Sequence, residues 1–144
     1  MMKVVILSTQ TPHHAYFVKK IQENHKNITV FLENKKVVFP FITKHNFEKE
    51  RDIFEREKWF SSSSENISQI VQTEEFKDIN STESVRKLIE LRPDIVIVFG
   101  TGILRKNLLG SINCPVLNLH GGDPEEYRGL DSHLWAIYHN DFNS

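Results

Sequence analysis

The chain has 144 residues, 39% of them hydrophobic and 26% charged, a balance that excludes wholesale disorder and collagen-like repeats and suits one globular domain. Eighteen basic residues against nineteen acidic ones leave a formal charge of −1, which gives no electrostatic case for a nucleic-acid partner or an anionic membrane. The one cysteine, Cys114, excludes an intrachain disulfide and a cysteine-built zinc centre; none of the seven histidines falls in a His-Glu-x-x-His spacing, and no metal site is expected.

Residues 3–8 carry an uninterrupted β-branched apolar run, which suits a central strand of a parallel sheet covered on both faces. Its apolar part, Val4 to Leu7, is too short for a signal peptide or a membrane span, and no other segment approaches a spanning length, so a cytoplasmic protein without a membrane partner is expected. Thr11 is placed to cap a helix that has Pro12 at its first position, with Phe17, Val18 and Ile21 on one face. Residues 28–32 read as a second strand, and the β-α-β unit implies a parallel sheet with a right-handed crossover.

Residues 33–80 are harder to read. The stretch 46–60 is densely charged, with Phe47, Phe54 and Trp59 widely spaced, and predicts a mostly exposed helix. Four serines at 61–64 predict a turn, and 67–72 a short strand. Asn80 and Glu83 have capping-box spacing ahead of a helix with Val85, Leu88 and Ile89 on one face, ended by Pro93. Residues 95–99 give the strongest buried-strand signal in the chain, broken by Gly100-Thr101-Gly102. A short helix over 104–109, a strand over 116–120, a loop over 121–124 and a helix over 131–139 follow, with no internal repeat. This order predicts an α/β, doubly wound, mostly parallel sheet in one domain over residues 1–144, with ligands at the carboxyl ends of the strands: residues 9–14, 100–104 and 118–123.

A dinucleotide fingerprint is missing from the first strand-to-helix turn, where residues 9–14 contain no glycine; Gly100-x-Gly102 lacks the third glycine, and no P-loop pattern occurs. The turn Thr11-Pro12-His13-His14 still offers the unpaired N–H groups of a helix start, which suit phosphate, with two imidazoles as further donors; an ordinary exposed helix start explains the same residues. Asn118 and His120 fall at i and i+2 of a strand end and so share a face, with Leu119 turned into packing. An amide that can hold an oxyanion beside an imidazole that can move a proton suits acyl transfer, whereas a polar strand end with His120 hydrogen-bonded locally is the simpler account of the tripeptide alone.

The longer run Asn118-Leu119-His120-Gly121-Gly122-Asp123-Pro124-Glu125-Glu126-Tyr127-Arg128-Gly129 resembles the signature of the N10-formyltetrahydrofolate-dependent formyltransferases. Residues 94–104 resemble that family's folate-side strand and loop, and the opening strand with Thr11–His14 its amine-facing turn. Gly121-Gly122-Asp123-Pro124, followed by Tyr127 to Trp135, is most similar to the branch that formylates amino sugars on nucleotides. The resemblance implies a formyltransferase-type Rossmann-like fold and transfer of a formyl group from N10-formyltetrahydrofolate to the amine of an amino-sugar nucleotide. It implies Asn118 and His120 as catalytic residues, Thr101, Gly102, Ile103 and Leu104 at the cofactor, and Pro12, His13 and His14 at the substrate.

The family's catalytic Asp would lie beyond Ser144, and neither Asp131 nor Asp141 occupies its place. The expectation is therefore a C-terminally truncated sheet, inactive as this chain alone, with an exposed apolar edge that favours a homodimer. Two alternatives stand beside it: a methionyl-tRNA formyltransferase relative, and a truncated non-catalytic remnant.

Overall fold

The computed structural model describes residues 1–34, 47–61, 63–129 and 131–143. Asn46 at the expected start of the charged helix, Ser62 of the serine run, and Leu130 and Ser144 lie outside the described residues.

Five strands, β1 (Val4–Ser8), β2 (Ile28–Glu33), β3 (Gln72–Phe76), β4 (Ile95–Phe99) and β5 (Val116–Asn118), form one sheet in the order β3-β2-β1-β4-β5. Every pairing is parallel, and Ser8 at the end of β1 stands level with Leu32 on one side and Phe99 on the other. Among the described residues, five α-helices connect or follow the strands: α1 (Pro12–Asn24), α2 (Phe47–Phe60), α3 (Thr82–Leu91), α4 (Lys106–Leu109) and α5 (Ser132–Tyr138).

The alternation of β1 divides the core. Val4 and Ile6 face a cluster with Ala15 and Val18 of α1 and Phe60 of α2, whereas Val5 and Leu7 face one with Leu88 of α3 and Leu108 of α4. Apolar side chains on both faces explain why the strand reads as a continuous apolar run. Right-handed crossovers place α1 and α2 on one face as the chain winds outward from β1 to β3; the return to β4 puts α3 on the other. The α/β, doubly wound, parallel sheet expected from the sequence is the observed architecture. No helix among the described residues is long and apolar enough to cross a membrane.

Several local expectations change. The expected strand over 67–72 begins as a 3-10 turn, Ile67–Gln69, and the third strand is Gln72–Phe76, whose Gln-Thr-Glu-Glu sequence hides it. The N-cap of α3 is Ser81, whose hydroxyl accepts from the Ser84 N–H at 3.2 Å; Asn80 is not the cap. Ile89 is exposed and not part of the buried face. α2 is exposed at Phe54, as expected, but its end is anchored: Phe60 is buried and Trp59 stacks on Tyr16 at 4.6 Å between centroids.

β5 bonds to β4 on one side, and its other edge is open among the described residues. Val116, Leu117 and Leu119 are 38%, 54% and 46% exposed, so Leu119 is not turned into packing as expected. An open apolar edge of this kind templates pairing with a second chain. Light scattering should therefore show species larger than a monomer, and Leu117→Lys should shift them toward the monomer; a wild-type monomer at all concentrations would overturn this expectation.

Candidate functional site

The strand order reverses at β1. The connection leaving β1 turns to one face and the connection leaving β4 to the other, and the space beyond their carboxyl ends is where sheets of this kind place a ligand. Thr9 to His14 and Gly100 to Gly102 flank it. The Ser8 hydroxyl, fully buried, donates to the Phe99 carbonyl at 2.8 Å and ties the two strand ends together.

His14 sits against this junction. Its ring lies 4.3 Å from the Phe99 ring and 4.2 Å from the His13 ring, between centroids. Thr11, at the N-cap position of α1, does not cap the helix backbone: its hydroxyl lies 2.6 Å from His14 Nδ1. Burial above all, then the neighbouring His13 and Arg51, lowers the His14 pKa to about 3, so the ring is neutral. Gly100 has φ +84°, and a Cβ built there would stand 1.9 Å from His14 Nε2. Both the backbone conformation and the adjoining ring require glycine at this position.

The loop after β4 is fixed from below. Glu33, buried at the end of β2, accepts from the Ile79 N–H at 3.0 Å and from the Gly102 N–H at 2.8 Å. Asn80 accepts from the Arg105 N–H at 2.7 Å and donates to the Ile103 carbonyl at 3.1 Å. Of the four residues expected at a cofactor, Gly102 and Ile103 thus spend these backbone groups inside the protein, and Leu104 packs on the second core cluster. Thr101 differs: its hydroxyl is buried and has no hydrogen-bond partner.

Asn118 stands opposite Val98, one residue before the end of β4, and the Leu119 N–H continues the ladder to the Val98 carbonyl at 2.9 Å. The strand end therefore lies beside the loop that opens at Gly100. His120 Nδ1 lies 2.9 Å from the Gly122 carbonyl, the local hydrogen bond that is the simpler account of the tripeptide. Asn118 is exposed.

Four residues here escaped the sequence reading as site residues: Ser8, Glu33, Asp52 and Glu55. His13 Nδ1 lies 3.0 Å from Glu55 Oε2, with the two side chains 26% and 12% exposed. Asp52 and Glu55 are at i and i+3 of α2, one face of a helix, which was the available signal. The next contact along the same two helices is the stack of Tyr16 on Trp59.

No protein-family model matches the chain, and no curated protein matches it. A solved structure of a universal stress protein family protein from Arabidopsis thaliana, determined with AMP bound, is similar over 92% of this chain and 99% of its own length, at 15% identity and a TM-score of 0.39. No formyltransferase model and no curated formyltransferase matches, the solved structure is of another family, and the formyltransferase reading is corrected. The formyltransferase-type fold, formyl transfer to an amino-sugar nucleotide, the methionyl-tRNA alternative, the family remnant and N10-formyltetrahydrofolate as donor are corrected accordingly. The physical source of the error is the strand alternation. Any parallel strand that ends at a ligand crevice places polar residues at i and i+2 there, so Asn-x-His with a glycine loop is not peculiar to one chemistry. At this TM-score the likeness gives the chain no function.

The contact between Gly100 and His14 can be tested by stability. Gly100→Ala should lower the unfolding free energy by about 2–4 kcal/mol, because overpacking adds to an unfavourable φ; adding His14→Ala should recover part of the loss in urea denaturation. The unfolded imidazole titrates near 6.5 and the folded one near 3, so the unfolded state binds more protons between these values. This contribution to stability is complete above pH 6.5 and declines as pH falls, with a slope of at most about 1.4 kcal/mol per pH unit. Urea midpoints between about pH 7 and 5.5 should show that slope in the wild type and lose it in His14→Gln.

Proposed function

We propose that this chain is a binding domain for a small phosphorylated molecule, held in the crevice between the ends of β1 and β4. The observation that carries the reading is the first turn of α1. It opens at the point where strand order reverses, and Thr11 leaves its N–H groups uncapped by turning to His14. A helix N-terminus in that position presents amides and a partial positive charge to an anion. Arg51 lies close enough to disfavour protonation of His14 and brings one positive charge to this end of the helix.

Of the nearby carboxylates, Glu33 accepts two N–H groups, Asp52 pairs with Arg51 at 2.8 Å and Glu55 lies 3.0 Å from His13 Nδ1. In this reading His13 and His14 contribute backbone N–H groups, Pro12 sets the helix start without a donor, and the spare Thr101 hydroxyl turns to the ligand. Asn118 and His120, at the neighbouring strand end, face the part of the ligand remote from its phosphate.

A helix terminus alone is worth at most about 2 kcal/mol, less than the roughly 4 kcal/mol of millimolar affinity. Side-chain donors must supply the rest. Inorganic phosphate, titrated in the presence of EDTA while backbone amides are followed by NMR, should shift His13, His14 and Gly100–Gly102 in a saturable way. His13→Asp, which places a negative charge at the helix start, should abolish saturation. Shifts confined to the lysine-bearing outer face of α1, around Lys19 and Lys20, would overturn the assignment.

A further inference from the structure

We infer that His13, Asp52 and Glu55 form a binding site for a divalent transition-metal cation, of the zinc type, across the α1–α2 interface. The inference is independent of the phosphate reading. Each of the three residues offers one ligand atom, and these atoms all lie within 4.8 Å of one another. Imidazole nitrogen with two carboxylate oxygens is a donor set for zinc and its neighbours rather than for calcium, which takes oxygen alone. Two ligands on one tetrahedral zinc stand about 3.4 Å apart, given metal–ligand bonds of about 2.1 Å. His13 Nδ1 and Glu55 Oε2, at 3.0 Å, are near that separation already; Asp52 has to close by up to about 1.4 Å, within reach of a side-chain rotation.

Three protein ligands leave a fourth position for water, the composition of an open zinc site. The site is accessible through the partial exposure of His13 and Glu55. Its geometry is imposed by the fold rather than by the cluster. His13 and Tyr16 share one face of α1; Asp52, Glu55 and Trp59 share one face of α2; the Tyr16–Trp59 stack, with 17° between ring planes, holds the faces together one turn away.

Thr11 stands beside the cluster, its hydroxyl 3.3 Å from both ring nitrogens of His13 and 2.6 Å from His14 Nδ1. A cation between them would replace the direct His13–Glu55 contact at 3.0 Å. Arg51, on Asp52 Oδ1 at 2.8 Å, competes for one oxygen of Asp52 and must yield it or share it.

The test is a competition titration of the full chain with Zn²⁺ alone, in phosphate-free buffer, against a chromophoric chelator. One equivalent should bind near neutral pH and the affinity should fall as pH is lowered. His13→Ala and Glu55→Gln should each weaken binding by at least about 100-fold. Glu55→Gln keeps the shape of the side chain, so it remains informative if His13→Ala fails to fold, as judged by circular dichroism without metal. Cobalt(II) in place of zinc should give the visible absorption of a four-coordinate site in the wild type and not in Glu55→Gln. Wild-type binding no tighter than that of Glu55→Gln, or one tight equivalent retained in both ligand variants, would overturn the proposal. His139→Ala serves as the control for binding at an unrelated histidine and should leave the affinity unchanged.

Discussion

The buried carboxylate of Glu33 sets the upper end of this sheet. It terminates β2 and receives one N–H from the loop after β3 and another from the loop after β4. Three chain segments far apart in sequence thus meet on one charged group. Hydrogen bonds to a charge are worth about 1.5–3 kcal/mol each, and an uncompensated buried charge costs more than either. The loops therefore have one satisfactory arrangement. The Thr9 hydroxyl adds a bond to the Glu33 carbonyl at 3.2 Å, which brings the end of β1 into the same set. Gly100 can then be pressed against His14 because both sides of the crevice are held from beneath.

The parts of the fold that depend on periodicity were legible in the sequence. β1, β2 and β4 are apolar on both faces, so each reads as a continuous run, and the β-α-β order leaves few topologies. β3 was not legible. Its Gln72, Thr73, Glu74 and Glu75 carry no apolar alternation, because it is an edge strand held by backbone pairing to β2. The cap of α3 failed for a different reason. Asn80 satisfies the capping spacing, but its amide has a stronger demand in the loop of Ile103 and Arg105, and Ser81 takes the cap. Tertiary hydrogen bonding outweighed a local pattern.

Strand order points to the ends of β1 and β4, but it does not name an occupant, and the folate expected there is corrected. Short polar tripeptides at strand ends mark where a ligand goes, since the pleat aims alternate residues there, but not which ligand goes there. Glu33 looked like the polar end of a strand, and Asp52 and Glu55 like two acids on a solvated helix. Their roles come from contacts across 46, 69 and 42 residues of chain: Glu33 with Ile79, Glu33 with Gly102, and His13 with Glu55. No local window contains these pairs.

α2 has a further consequence for how this protein opens. Its outer side bears exposed Ile53 and Phe54, while among the described residues its contacts with the body include Phe60, the Trp59–Tyr16 stack and the His13–Glu55 contact. The sheet beneath is closed by backbone ladders and two core clusters that do not need most of this helix. Detachment of α2 is therefore expected to be a sub-global event, cheaper than unfolding the sheet, and amide exchange in the helix should proceed through it. The wall that carries Asp52 and Glu55 then behaves as a clasp. Whatever binds between α1 and α2 contributes its free energy to closing that clasp, and slows exchange in one helix while the central strands exchange as before.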